Sequence, residues 1–269
     1  MYNLIKKLVY RVCLSLGIYI YRIKPTDNLA LTDFFAYLRK NSALVNLIRI
    51  GNDSDGGYLL PNDLKGLQFC ASPGVADSSH FEFQLASEHK IICCLADFSV
   101  NGPAVHHPLL HFTKKFISSY NDEQNLRLDD WVHACEERYG KGDLLLQMDV
   151  EGAEYPILQD VSETTLTKFR IIIIEFHNID KIFDRNEFAS IEQVFKKLLK
   201  QFYIVHIHPN NAGHVSSRGG LEVPSVLEFT FLRRDRVNEL VPLTFEPHVL
   251  DKPNSPKKPD LVLPACWRN

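Results

Sequence analysis

The segment Arg170–Phe176 reads Arg-Ile-Ile-Ile-Ile-Glu-Phe, and it restricts the fold more than any other part of the chain. Successive strand residues point to opposite faces, so an unbroken β-branched run must be covered on both sides. This places the segment in the middle of a parallel sheet with helices above and below. The flanking pattern agrees. Helical spacing covers Leu29–Leu38, Ser79–Glu88, Leu128–Tyr139 and Asn186–Phe202, with a short helix over Tyr155–Gln159. Strand-like runs cover Leu67–Ala71, Lys90–Ala96, Leu110–Ile117 and Asp143–Val150. The last two strands, Tyr203–His208 and Ser225–Arg233, are joined by a loop rich in Pro, Asn, Gly and Ser. With no helix between them they can pair antiparallel. The pattern predicts an α/β fold: a doubly wound, mostly parallel seven-stranded sheet finished by an antiparallel pair.

A chain of 269 residues suits one such domain with extensions. We divide it into an N-terminal helical extension (1–45), a central domain (46–246) and an extended, Pro- and Lys-rich tail packed on the domain (247–269). The formal charge of −3 argues against a nucleic-acid partner, which would demand a basic excess. The six cysteines lack CxxC spacing, so neither zinc nor disulfides are expected, and a reducing, cytoplasmic setting fits best. At the N-terminus, the apolar stretch from Val12 to Tyr21 falls well short of the ~20 residues that span a bilayer. It also lacks a signal-peptide cleavage pattern. Ile5, Val9, Val12, Leu16 and Ile20 recur at helical spacing, with Lys7 and Arg11 on another face. That suits peripheral contact with an anionic membrane. Packing on the domain or against a second subunit in a homodimer is the favoured alternative.

Open α/β sheets bind ligands where their strands end, so the residues after each strand are the candidates. After the first comes Ser72-Pro-Gly-Val-Ala-Asp-Ser-Ser-His-Phe-Glu82, in which Gly74 allows close backbone approach. Ser72, Gly74, Ala76, Asp77 and Glu82 are its cofactor-binding candidates. There is no GxGxxG or Walker pattern. After the second comes Asp97-Phe-Ser99: a carboxylate there can accept both ribose hydroxyls of an adenosyl group, with Phe98 beside adenine and Ser99 next to it. Asp149, Glu151 and Glu154 crowd the end of the strand that follows, an arrangement that asks for a cation, a proton or a polar ligand. If the chain stays extended, Asp149 and Glu151 point the same way, and Gly152 permits the turn that brings Glu154 back. The next strands end in Glu175-Phe-His177-Asn and His206-Ile-His208-Pro-Asn210-Asn211. Asp149, Glu151, Glu154, His177 and His208 are the catalytic candidates, and Asp149 also borders the cofactor.

These residues resemble the FkbM-type methyltransferases. The likeness lies in Asp149-Val-Glu-Gly-Ala-Glu154, in Leu128-Asp-Asp-Trp131 and in the isoleucine strand ending Glu175-Phe-His177. Arg49-Ile-Gly-Asn-Asp-Ser-Asp-Gly-Gly-Tyr58 resembles the Asp-Gly-Gly-Tyr segment of one branch, and His-Pro-Asn-Asn211 and Val-Pro-Ser-Val-Leu-Glu228 resemble the same branch. Arg49, Asp55, Tyr58, Asn210 and Asn211 are therefore substrate-binding candidates. Ser72-Pro-Gly-Val-Ala76 departs from the Asp-x-Gly-Ala-Asn form of the wider family. The resemblance implies a class I methyltransferase, Rossmann-like domain. It also implies S-adenosylmethionine as cofactor and O-methylation of a hydroxyl on a sugar, glycan or secondary metabolite. The acceptor proton could pass to an imidazole or carboxylate. Alternatively, Mg²⁺ or Mn²⁺ on Asp149, Glu175 and His177 could lower the acceptor's pKa. Two rivals are a non-catalytic adenosyl-binding scaffold, which needs no such density of acids, and a nicotinamide-dependent sugar reductase, whose glycine fingerprint is missing.

Overall fold

The computed structural model of the chain describes residues 2–17 and 24–268, with side chains in the first helix from Val9 onward. Helix α1 (Tyr2–Ser15) and helix α2 (Asn28–Lys40) come first. A hairpin of β1 (Leu47–Gly51) and β2 (Gly57–Pro61) follows, then β3 (Leu67–Pro73), α3 (His80–His89), β4 (Ile92–Ala96) and β5 (Leu110–Thr113). The middle of the chain holds β6 (Phe116–Ser118), β7 (Asn125–Arg127), α4 (Leu128–Tyr139), β8 (Asp143–Met148), α5 (Glu154–Asp160) and α6 (Glu163–Leu166). Next are β9 (Phe169–His177), α7 (Arg185–Leu199), β10 (Phe202–Pro209), the small hairpin β11 (Val215–Arg218) and β12 (Leu221–Pro224), β13 (Val226–Arg233) and α8 (Ala265–Arg268).

The main sheet has seven strands in the order β10-β13-β9-β8-β3-β4-β5. Strand β13 runs antiparallel to both neighbours, and the other pairings are parallel. The isoleucines divide as a doubly covered strand requires. Ile172 and Ile174 face the core formed with α2, α4, α5 and α7, whereas Ile171 and Ile173 face the core under α3 and the β1–β2 hairpin. The order of strands reverses at β3, which lies between β8 and β4, so a crevice is expected at its carboxyl end.

Several details differ from the sequence reading. The run Leu110–Ile117 is two strands, because the chain turns at Lys114-Lys115 and Lys115 donates its Nζ to the Asp122 and Glu123 carbonyls. Strand β8 stops at Met148 rather than Val150. The β1–β2 hairpin, upstream of the first predicted strand, has every residue of β2 buried. Helix α2 lies within the main core through Leu31, Phe34, Phe35 and Leu38, and the tail reaches the same core, with Trp267 4.6 Å from Phe35. In α1 and just after it, Val9, Tyr10, Val12, Leu14 and Leu16 are exposed, so among the described residues this stretch is not packed on the domain. The Ile5 and Ile20 positions of its predicted stripe lie outside the described side chains. No described helix is long and apolar enough to cross a membrane.

Candidate active site

Three strand ends are tied together at the switch point. Gly74, at φ +86°, donates its N–H to the Ala96 carbonyl at 2.9 Å, and the Asp149 N–H donates to the Pro73 carbonyl at 3.2 Å. A Cβ on Gly74 would lie 1.5 Å from the Asp149 carbonyl oxygen, so only glycine fits here. Asp97 fixes the same loop: its Oδ2 accepts from the Ala76 N–H at 2.9 Å, and its Oδ1 accepts from the Ser99 N–H and hydroxyl. Beside this loop opens a cavity of about 890 Å³, bordered by Gly74, Ala76, Asp97, Ser99, Phe116 and Asp149. Its size suits a nucleoside-bearing ligand. Phe98 does not border the cavity; it packs on Phe116, which does.

A smaller cavity of about 210 Å³ adjoins the first, and the two share Gly74, Ala76, Asp149 and Glu151. Asp55, Tyr58, Asp77 and Glu82 also line it. Ser72 is buried behind this wall, with its hydroxyl against both Glu82 and the Gln147 carbonyl oxygen. Burial raises the Glu82 pKa, against the opposing hydrogen bond that it accepts from Ser72. Gln147 in turn donates to the Tyr58 hydroxyl at 3.2 Å.

The acidic motif makes the turn expected at Gly152 but leaves the extended course already at Glu151. Glu151 and Gly152 take φ values of +55° and +103°, which sends Glu151 to solvent and draws Glu154 fully inside. Glu154 Oε1 faces the Gly152 N–H and His177 Nδ1, each at 3.0 Å. His177 Nε2 then lies 3.4 Å from Glu151, 3.7 Å from Glu175 and 4.0 Å from Asp149. Burial opposes charge on this imidazole, but the Glu154 hydrogen bond and the fields of Glu154, Asp149 and Glu151 outweigh it and raise its pKa. Burial lifts Asp149 to about 7 against the opposing pull of His177, with Glu151, Glu154 and Asp55 adding to the rise. Glu175 is raised well above the ordinary carboxylate range, by burial first and then by Asp149, Glu228 and Asp55. Asp149 Oδ1, Glu154 Oε2 and Glu175 Oε2 are buried without a hydrogen-bond partner.

The predicted metal set divides in two. Asp149, Glu151 and His177 bring one ligand atom each within 4.8 Å of one another, whereas Glu175 groups with Asp55 and Glu228. His208 is set apart from the catalytic candidates. It lies buried 3.2 Å from Asp260 and 3.6 Å from Glu228, and despite burial Glu228, Asp251 and Asp260 raise its pKa to about 9. A cation at neutral pH is a poor base. Arg49 is engaged by the protein itself: its guanidinium holds the Asn52 and Ser54 carbonyls of the turn that carries Asp55. Asn210 donates to Glu175 at 2.9 Å, and Asn211 clasps the tail through the carbonyls of Ser255, Lys258 and Pro259. The sequence reading missed Gln147, Asp251, Asn254 and Asp260 altogether, and left Glu228 without a role. Glu228 faces Glu175 directly across β13 and β9, a pairing that strand alignment could have revealed.

The family model described as "Methyltransferase FkbM domain" matches residues 3–202. The chain belongs to the FkbM methyltransferase family. The match covers the glycine loop, Asp97, the acidic turn and His177, and it ends where β10 begins; β13 and the tail lie beyond it. Membership in the FkbM family implies S-adenosylmethionine as methyl donor, and the larger cavity with its glycine-enforced loop fits such a ligand. No curated protein matches the chain. Among solved structures, a similar one is a tryptophan-to-alanine mutant of the 16S rRNA (adenine(1408)-N(1))-methyltransferase from Catenulisporales acidiphilia. It has 9% identity and a TM-score of 0.31, and the match covers 82% of this chain and 95% of that one.

Proposed function

We propose that the chain methylates a hydroxyl of a small polar acceptor: a sugar, as nucleotide sugar or glycan, or a hydroxylated secondary metabolite. The observation that carries this reading is the placement of Asp149, which borders both cavities and stands beside His177 at their junction. S-Adenosylmethionine, when bound, supplies an electrophilic methyl group on a sulfonium. Gly74, Ala76 and Asp97 shape the wall of the cavity that would hold it. The acceptor enters the smaller cavity, where Asp55, Tyr58 and Asp77 offer hydrogen bonds. Asp149 takes the hydroxyl proton, since a carboxylate near pH 7 is matched to that task. His177, oriented by Glu154, offsets the charge that Asp149 carries before it takes that proton, and Asp149 is neutral afterwards. Holding the acceptor oxygen in line with the methyl carbon supplies the rest of the acceleration.

The convergence of Asp149, Glu151 and His177, with Asp149 Oδ1 unpartnered, favours a second reading in which Mg²⁺ or Mn²⁺ binds there and polarises the hydroxyl. Consumption of S-adenosylmethionine across a panel of nucleotide sugars, glycans and hydroxylated metabolites, with and without Mg²⁺, tests both. Turnover of a hydroxylated acceptor supports the proposal. Methylation confined to amines contradicts it.

A further inference from the structure

The geometry points to a divalent-cation site, separate from the Asp149–His177 group, held by Asp55, Glu175, Glu228 and the side-chain amide of Asn254. Glu175 and Glu228 are directly opposed on β9 and β13, and both are at least 95% buried. Like charges so placed repel unless something neutralises them. The β1–β2 turn adds Asp55, and one carboxylate oxygen from each of the three acids lies within 4.8 Å of the others.

An independent observation that points to a ligand comes from the tail. Asn254 is 6% exposed and lies against two of the acids, donating Nδ2 to Glu228 at 2.5 Å and to Asp55 at 3.2 Å. Its Oδ1 is buried with no partner, as is Glu175 Oε2. A half-turn of the amide exchanges oxygen for nitrogen and would complete a set of four oxygen donors. The positive charge nearby falls short. His208 stands 3.6 Å from Glu228 but is shared with Asp260, and His177 stands 3.7 Å from Glu175 amid other acids. Among the described residues no lysine or arginine forms an ion pair with Asp55, Glu175 or Glu228. Arg49, whose field reaches Glu228, spends its hydrogen bonds on backbone carbonyls. All-oxygen donors select a hard cation such as Mg²⁺, Mn²⁺ or Ca²⁺. Because Asp55 also lines the smaller cavity, the ion would border the acceptor's space. Glu228 and Asn254 lie beyond the family match, so this site is read from the chain's own tail and last strand.

The test is Mn²⁺ binding to the full chain without cofactor or acceptor, followed by electron paramagnetic resonance, so that it stands independently of methyl transfer. Asp55→Asn and Glu228→Gln are expected to weaken Mn²⁺ binding by at least about tenfold. Glu151→Gln, at the other group, is expected to leave it unchanged. Asp55 sits on a turn, so its variant remains informative if Glu228→Gln fails to fold. Asn254→Asp should retain Mn²⁺ and Asn254→Leu should weaken it, a contrast that an amide acting only as donor would not produce. Absence of binding at ~1 mM Mn²⁺ would overturn the site. So would loss in Glu151→Gln with retention in Asp55→Asn, which places the ion at the Asp149–His177 group.

Discussion

Asp149 is the residue on which chemistry and stability pull in opposite directions. Its pKa of about 7 means that the folded chain holds this proton more tightly than the unfolded chain does. The associated stability is therefore full below the ordinary carboxylate pKa and is lost as pH rises through 7. Asp149→Asn should raise the melting temperature at pH 8 in the presence of chelator and leave it nearly unchanged at pH 4. An equal shift at both values would mean that the carboxylate is not destabilised by its surroundings. The same shift gives catalysis a direction: transfer by the wild type should accelerate as pH increases through about 7, because the base works only when ionised. Asp97 makes a different prediction. Its carboxylate braces Ala76 and Ser99 and still borders the larger cavity, so Asp97→Ala should weaken S-adenosylmethionine binding by about 1–3 kcal/mol in calorimetry. Types and spacings made Asp149, Glu154, His177 and Asp97 legible. The turn at Gly152 that brings Glu154 back was legible as well, but not its start one residue earlier, because nothing in the composition marks Glu151 as left-handed.

Among the elements, those with strong periodicity could be read directly. The isoleucine strand shows its division between two cores, and α7 shows the apolar stripe of Ile191, Val194, Phe195 and Leu198. Elements fixed by long-range contact were less visible. Strand β2 owes its burial to the sheet above it, where Thr230 donates to the Leu59 carbonyl at 2.6 Å. The tail helix α8 has only four residues and could not hold alone, yet Trp267 is 1% exposed between Phe35 and Phe229 and donates its indole N–H to the Glu222 carbonyl. Trp267→Ala should cost about 3–5 kcal/mol in denaturant unfolding, the usual penalty for deleting a large buried aromatic. A loss below about 1 kcal/mol would show that the tail merely rests on the domain. Gly74→Ala tests the cradle in the same way: the clash with the Asp149 carbonyl should abolish cofactor binding.

For the whole molecule, the sequence order of elements foretold a mostly parallel sheet with its antiparallel finish, and the family match agrees with the chemistry of the strand ends. What no linear reading supplied was the convergence of distant segments. The β1–β2 turn, the start of β13 and the tail meet beside β9, and they recast His208, Asn210 and Asn211 as supports for the site. The central claim is that Asp149 and His177, at the end of β9, form one catalytic centre. It is tested most directly by single-turnover transfer of labelled methyl from S-adenosylmethionine to the best acceptor, with cofactor affinity measured in parallel. Asp149→Asn and His177→Ala are each predicted to slow transfer by at least ~100-fold while cofactor affinity stays near that of the wild type. Near-normal transfer in both variants would contradict the account.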